Sequence, residues 1–400
     1  MSLLFSRRFR PFPAQREFII HPARFKAICT GRRFGKTLGA MRLVMRAAAS
    51  EAGDYAWIAP TYPITERGMD AMREMVNPQA ITAKGKPTVA TLYNGARIFF
   101  LSADSDDPRS ILGHGFKGIV VDEAARVSID AWQYVIRPTI SQTMGWAALF
   151  STPKGRNWFY DIFTRGMDAD ESEYAAFTYP SIDNPYFPQS EYDEARRTLP
   201  SMVFRQEYQA EFLEDSAGVF RGVDECLREK RSDSRVASIG IDLAKHQDYT
   251  VILPMGRDGD VKGMQRFNQI DWPAQKSRII ETYHKLGGVV MLDATGVGDP
   301  IYDDLRRAGV NVRGVKLTSQ SKTELIQGLM VAIEQREVAW SPTLDILTNE
   351  LKRYEYEYLP SGTVRYNAPA GYHDDCVIAL ALARQGVNPN RGGSVMLNAW

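Results

Sequence analysis

Residues Thr30–Thr37, TGRRFGKT, put a lysine and a hydroxyl directly behind a glycine-bearing loop and ahead of the helix-forming run LGAMRLVMRAAA. Backbone N–H groups at a helix N-terminus, an ammonium that reaches the β- and γ-phosphates and a hydroxyl for Mg²⁺ are what nucleotide binding requires. Gly31, Arg33, Gly35, Lys36 and Thr37 are therefore the nucleotide-binding candidates, with Thr37 also a ligand of Mg²⁺. Thr30 replaces the first glycine of the usual pattern, so the loop is a variant, and taken alone it also reads as a basic turn opening an ordinary helix. Further along, the apolar run Ile119-Val120-Val121 ends in Asp122-Glu123. A strand that delivers one carboxylate to Mg²⁺ and a second to orient the attacking water is the other half of such a site. Ser151 and Thr152 end another apolar run, where their hydroxyls either report the γ-phosphate or cap a turn. Gln15 has the amide chemistry to read an adenine edge, or is simply solvated.

A second group of acids lies in the C-terminal half. Asp242 follows Ile239-Gly240-Ile241 and precedes LAKHQDYTVIL, which reads as a hairpin carrying Asp248. Asp293 ends Val289-Val290-Met291-Leu292, and His373-Asp374-Asp375 opens the helix-like CVIALALAR. Carboxylates at two strand ends and one helix start can converge on two metal ions about 4 Å apart, which hydrolyses phosphodiesters. Each acid could instead cap its own element, Asp375 favouring a helix dipole. His373 either positions substrate or is a surface or capping histidine.

The elements that must position these residues divide the chain in two. Before about residue 160, short β-rich runs (25–29, 55–59, 96–101, 118–121 and 146–150) alternate with helical stretches, which predicts an α/β sheet covered on both faces, with ligands at its strand ends. Pro180, Pro185 and Pro188 then break the pattern, and helical spacing follows over Glu191–Leu199 and Met202–Leu213. We expect an ATPase domain over 1–175, a helical lid or linker over 176–225, a nuclease domain over 226–385 and a mobile tail over 386–400. Four hundred residues allow two cores. The chain carries no apolar run near the roughly 18 residues of a membrane span, and its three cysteines have no metal-ligand spacing, which fits a soluble protein of a reducing cytoplasm. A net charge of +1 gives no sign of tight static nucleic-acid binding, but local basic patches suffice for a motor that releases DNA at each step.

Taken in order, Gln15, GRRFGKT, APTY at 59–62, GHGFKGIVVDEAA, STPKG at 151–155, FRQEYQAEF, IGIDLAKHQDYT, LDATGVGD and HDD resemble the large terminase subunit of tailed bacteriophages over nearly the whole chain. The resemblance implies a P-loop ATPase domain of the ASCE type followed by a ribonuclease-H-like nuclease, an α/β fold throughout. It implies ATP with Mg²⁺ at Lys36, Thr37 and Asp122, catalysis by Glu123, coupling through Ser151 and Thr152, and two Mg²⁺ or Mn²⁺ ions at Asp242, Asp293 and Asp374 or Asp375. Arg32 matches the arginine of the family's variant loop. The resemblance also implies double-stranded DNA, a procapsid portal and a small terminase subunit as partners, and a pentameric ring. In a ring, an arginine from a neighbouring subunit can neutralise the γ-phosphate. Arg109, in the polar loop SADSDDPRSILGHG, is the candidate, with pairing to Asp106 or Asp107 the alternative. A cellular helicase-nuclease of DNA repair would instead carry a second RecA-like motor after residue 220.

Overall fold

The computed structural model describes residues 10–77, 80–84, 88–104, 111–213, 218–230, 232–244, 248–295, 298–358, 364–369 and 371–387. The chain divides into two compact units. One is Met1–Arg196 with Met202–Asp215 and Pro360–Gly362, the other Arg197–Ser201, Ser216–Leu359 and Thr363–Trp400.

The first unit contains α1 (Pro13–Ile20), β1 (Phe25–Thr30), α2 (Lys36–Ser50), β2 (Asp54–Ala59), α3 (Tyr62–Met75), β3 (Ile81–Lys84), β4 (Val89–Leu92), β5 (Arg97–Ser102), β6 (Gly118–Asp122), β7 (Trp146–Ser151), α4 (Trp158–Met167), β8 (Tyr174–Tyr179), α5 (Gln189–Thr198) and most of α6 (Ser201–Glu207). Its sheet runs β3-β4-β5-β2-β6-β7-β1-β8. The six strands from β5 to β8 are parallel, and β4 and β3 continue the sheet antiparallel. Parallel strands covered on both faces read as continuous apolar runs. Every residue of β1 is accordingly buried, Ile28 entering the core under α2 and α3 and Ala27 and Cys29 the core on the opposite face. The five expected strands are all present, and β3, β4 and β8 add to them. One expectation fails in part, because α6 ends at Glu207 instead of running on to Leu213. The carbonyl oxygens of Glu207 and Tyr208 accept from the N–H groups of Arg32 and Ser181, and Ala210 turns left-handed at φ 58°, so the helical ladder stops.

The second unit contains β9 (Val236–Asp242), β10 (Thr250–Gly256), β11 (Gln265–Phe267), α7 (Trp272–Leu286), β12 (Val289–Asp293), α8 (Gly298–Arg307), β13 (Val312–Val315), α9 (Ser319–Glu334), α10 (Asp345–Arg353), β14 (Glu355–Tyr358), β15 (Val364–Asn367) and α11 (Asp375–Val387). The sheet order is β11-β10-β9-β12-β13, with β10 antiparallel to its neighbours β9 and β11 and β12 parallel to β9 and β13. Counted within the unit this is 3-2-1-4-5, the strand order of ribonuclease H, and it is not a second RecA-like motor. Ile239, Ile241, Val290 and Leu292 pack on one face with Ile279 of α7 and Leu305 of α8. On the other face α11 lies directly on β9. A Cβ at Gly240 would overlap the carbonyl oxygen of Ala379, so only glycine lets these two backbones approach so closely.

Two candidate active sites

The phosphate-loop candidates gather where β1 meets α2. Arg33 and Gly35 take left-handed backbone, at φ 61° and 89°, which turns the chain into the helix that starts at Lys36. β6 ends nearby. Glu123 also has positive φ, 51°, and its carboxylate meets the Lys36 ammonium at 2.6 Å. Asp122 is 2 % exposed. Burial pushes its carboxyl up to about 6, against the opposing pull of Lys36 and with a further push from Glu123. A divalent cation would relieve that cost, so the acid suits a Mg²⁺ ligand. Ser151 is fully buried, and its Oγ accepts from the Ala125 N–H at 3.3 Å, bracing the turn after Glu123. Thr152 is buried beside it in the chain. Gln15 is not a solvated amide: it is 1 % exposed, it donates to the Gly35 carbonyl at 3.0 Å, and its Oε1 has no hydrogen-bond partner. It holds the phosphate loop by one end and keeps an acceptor in reserve. Arg109 lies outside the described residues.

Glu207, in the last turn of α6, is not among the expected site residues. It receives Arg32 on one carboxylate oxygen and Lys154 of the STPKG turn on the other, both at 2.5 Å. Burial would raise this carboxyl, but the two cations hold it down at about 2. The phosphate loop, the turn after β7 and the helical segment thus share one ion network. No chemical motif in FRQEYQAEF marks Glu207, because its partners lie 175 and 53 positions away in sequence.

In the second unit the fold brings the C-terminal acids together. Asp242 ends β9, Asp293 ends the adjacent parallel β12, and Asp374 and Asp375 stand at the start of α11, which packs on β9. Burial and the neighbouring charges of Asp375, Asp293 and Asp374 push Asp242 well above the carboxylate range, with Lys322 opposing. Asp375 is raised to about 6, mainly by burial, with Asp248 and Asp374 adding to it. Asp248 Oδ1 lies 3.3 Å from His373 Nδ1, which is 3.8 Å from Asp375 Oδ2, and ligand atoms of all three fall within 4.8 Å of one another. Asp374 is set apart by its partners: Lys322 donates to its Oδ2 at 2.9 Å and the Tyr354 hydroxyl at 3.3 Å. Lys322 and Tyr354 are further residues that the sequence leaves unmarked. Excess acid and hard oxygen donors fit Mg²⁺ or Mn²⁺.

Comparisons with known proteins match both units. The family model "Terminase large subunit, T4likevirus-type, N-terminal" matches residues 27–225, and "Terminase RNaseH-like domain" matches 239–385. The terminase large subunit of Thermus phage G20c is 29 % identical over 94 % of this chain and 87 % of its own length. That of Escherichia phage T5 is 30 % identical over 47 % of this chain and 44 % of its own. A solved large terminase from a thermophilic bacteriophage has the same fold, with a TM-score of 0.57 over 96 % of this chain and all of its own, at 14 % identity. The P-loop unit is thus an ATPase and the second unit a ribonuclease-H-like nuclease, and the chain belongs to the terminase large-subunit family, whose members package and cut phage DNA.

Proposed function

We propose that the chain hydrolyses ATP at Lys36, Thr37, Asp122 and Glu123 to drive double-stranded DNA into a procapsid, and cuts that DNA at the Asp242–Asp293–Asp374/Asp375 cluster. The observation that carries the first half is the 2.6 Å pair of Lys36 and Glu123. Lys36 exchanges Glu123 for the γ-phosphate when nucleotide binds, which frees the Glu123 carboxylate to orient the attacking water and accept its proton. Asp122 and Thr37 hold Mg²⁺, and Gly31, Arg33 and Gly35 turn backbone N–H groups towards the phosphates. Arg32 moves between Glu207 and the nucleotide. Ser151 and Thr152, followed by Lys154 on the same turn, pass the change to the helical segment through Glu207. Gln15 offers its spare acceptor to the adenine amino group. Arg109 remains the candidate for the arginine supplied in trans.

In the nuclease, Asp242, Asp293 and Asp374 or Asp375 would hold two divalent cations, with Asp248 and His373 at the rim. When bound, the cations polarise the phosphodiester and neutralise the leaving oxygen. Lys322 adds a positive charge beside Asp374, and Tyr354 keeps that carboxylate in place. As part of this proposal we keep the domain limits expected from the sequence: 1–175 for the ATPase, 176–225 for the lid or linker, 226–385 for the nuclease and 386–400 for the tail. No helix among the described residues is long and apolar enough to cross a membrane, which suits work in the host cytoplasm on a procapsid. A portal, a small terminase subunit and a pentameric ring complete the proposed assembly. The test is DNA packaging into purified procapsids with ATP. A chain that cuts plasmid DNA yet never protects it from added nuclease in that assay is not a packaging motor.

A further inference from the structure

Behind the acid cluster lies a charged pair that the catalytic scheme does not use. Arg266 of β11 is 16 % exposed and Glu350 of α10 is 10 % exposed, with Nη2 and Oε1 3.6 Å apart. Glu350 Oε2 accepts the Cys376 N–H at 2.9 Å, in the first turn of α11, directly after Asp374 and Asp375. The Arg266 guanidinium lies over the Tyr249 ring, 3.3 Å from its centroid. Tyr249 in turn donates its backbone N–H to Asp375 Oδ2 at 3.1 Å, and its ring meets His373 edge-on at 5.3 Å. The pair therefore joins the two segments that present acids, the hairpin with Asp248 and the start of α11.

A buried ion pair is a poor stabilising device, because desolvation offsets its attraction. This one even leaves Arg266 Nε and Glu350 Oε1 buried without a hydrogen bond. What it does provide is position. We propose that Arg266 and Glu350 are positioning residues of the nuclease centre, fixing Asp375, Asp248 and His373 at the separation a divalent cation needs.

The inference rests on the acids being metal ligands. It is tested on the full-length chain by isothermal titration with Mn²⁺ and by cleavage rate against Mn²⁺ concentration. Glu350→Gln still accepts from Cys376 but loses the charge that holds Arg266; Arg266→Lys keeps charge but not the planar stack. Partners of this kind alter metal affinity by about 10-fold to 100-fold. Each variant is expected to bind Mn²⁺ about tenfold more weakly and to recover most of its cleavage rate at saturating Mn²⁺. The double variant should be no weaker than Glu350→Gln alone. A purely structural role predicts fewer active molecules with unchanged half-saturation, and that result overturns the proposal. Additive losses overturn it too. Tyr249→Leu removes the stacking ring and leaves the ion pair, so it supplies the same measurement should Glu350→Gln fail to fold. Asp242→Asn separates the two ideas. If it keeps wild-type Mn²⁺ binding, the metal reading itself is wrong; if it loses binding while both pair variants keep theirs, only the positioning role falls.

Discussion

The two sites handle negative charge in opposite ways. In the ATPase the chain supplies its own cations: Lys36 closes on Glu123, and Arg32 and Lys154 close on Glu207. In the nuclease the acids outnumber their cationic neighbours, and Asp242 and Asp375 are driven upwards by burial and by neighbouring carboxylates. A site satisfied by internal ion pairs is switched by exchanging partners, and its ligand has to displace something. One that is internally frustrated is completed by what binds, so its order depends on metal. Removing either member of an ion pair should therefore disable the first site, and removing an acid the second.

The largest expected effect follows from this. Lys36→Ala and Glu123→Gln should each lower steady-state ATP turnover at least about a hundredfold, since positioning and electrostatics dominate phosphoryl transfer. Plasmid cleavage by the same preparations should persist. Phosphate release at the wild-type rate from Glu123→Gln would remove that residue from the mechanism. In the mirror experiment, Asp242→Asn and Asp293→Asn should abolish cleavage and spare ATPase, and chelator should reproduce the loss in the wild type. Cutting that survives chelator rules out the metal-dependent mechanism.

A smaller effect is expected where the ATPase charges meet. Glu207→Gln keeps the side chain's shape and removes the charge shared by Arg32 and Lys154. One charge-assisted contact is worth roughly 1.5–3 kcal/mol, so turnover should fall by about tenfold to a hundredfold while nucleotide binding, followed by fluorescent analogue, changes little. Unchanged turnover would leave Glu207 a structural anchor only.

The smallest effect is in pH. Asp375 is held near 6 in the folded protein against 3.8 for an ordinary aspartate, so the folded state binds this proton more tightly than the unfolded state does. Its favourable contribution is complete below about 4 and is lost as pH rises through 6. Asp242 acts in the same direction. Glu207 has the opposite sign, being held at about 2 against 4.5, so its contribution is present above 4.5 and lost as pH falls towards 2. In chelator-treated protein, the calorimetric transition of the nuclease unit should rise by a few degrees (~2–4 °C) from pH 7 to pH 5. Saturating Mn²⁺ should reverse the slope, and a slope that ignores Mn²⁺ contradicts the frustrated-acid picture.

Both units are legible in the sequence as apolar runs ending in Asp, Glu, Ser or Thr, because strand ends of open α/β sheets are where ligands bind. Asp122, Asp242 and Asp293 are marked that way, and Lys36 by the glycine-bearing loop ahead of a helix-forming run. Asp374 and Asp375 are marked because a helix start follows them, and their partners distinguish them: Asp374 takes Lys322 and Tyr354, Asp375 takes the Tyr249 N–H. Glu207, Lys322, Arg266 and Glu350 sit on helices or a short edge strand whose local pattern is that of any amphipathic element. Their partners are set by tertiary packing, so no spacing rule reaches them. The same holds for the end of α6, where the rest of the chain takes carbonyl groups that a local reading assigns to the helix.

Gly240 bears on how the nuclease could be disarmed without touching a carboxylate. Its missing side chain sets the clearance between β9 and α11, and so between Asp242 two positions on and Asp375 one turn before Ala379. One added methyl group would press on Ala379 and Ala383 and force β9 and α11 apart. Gly240→Ala thus defines a fitting tolerance below the size of a single carbon atom. The chain would remain able to bind ATP while its cutting edge is held out of alignment.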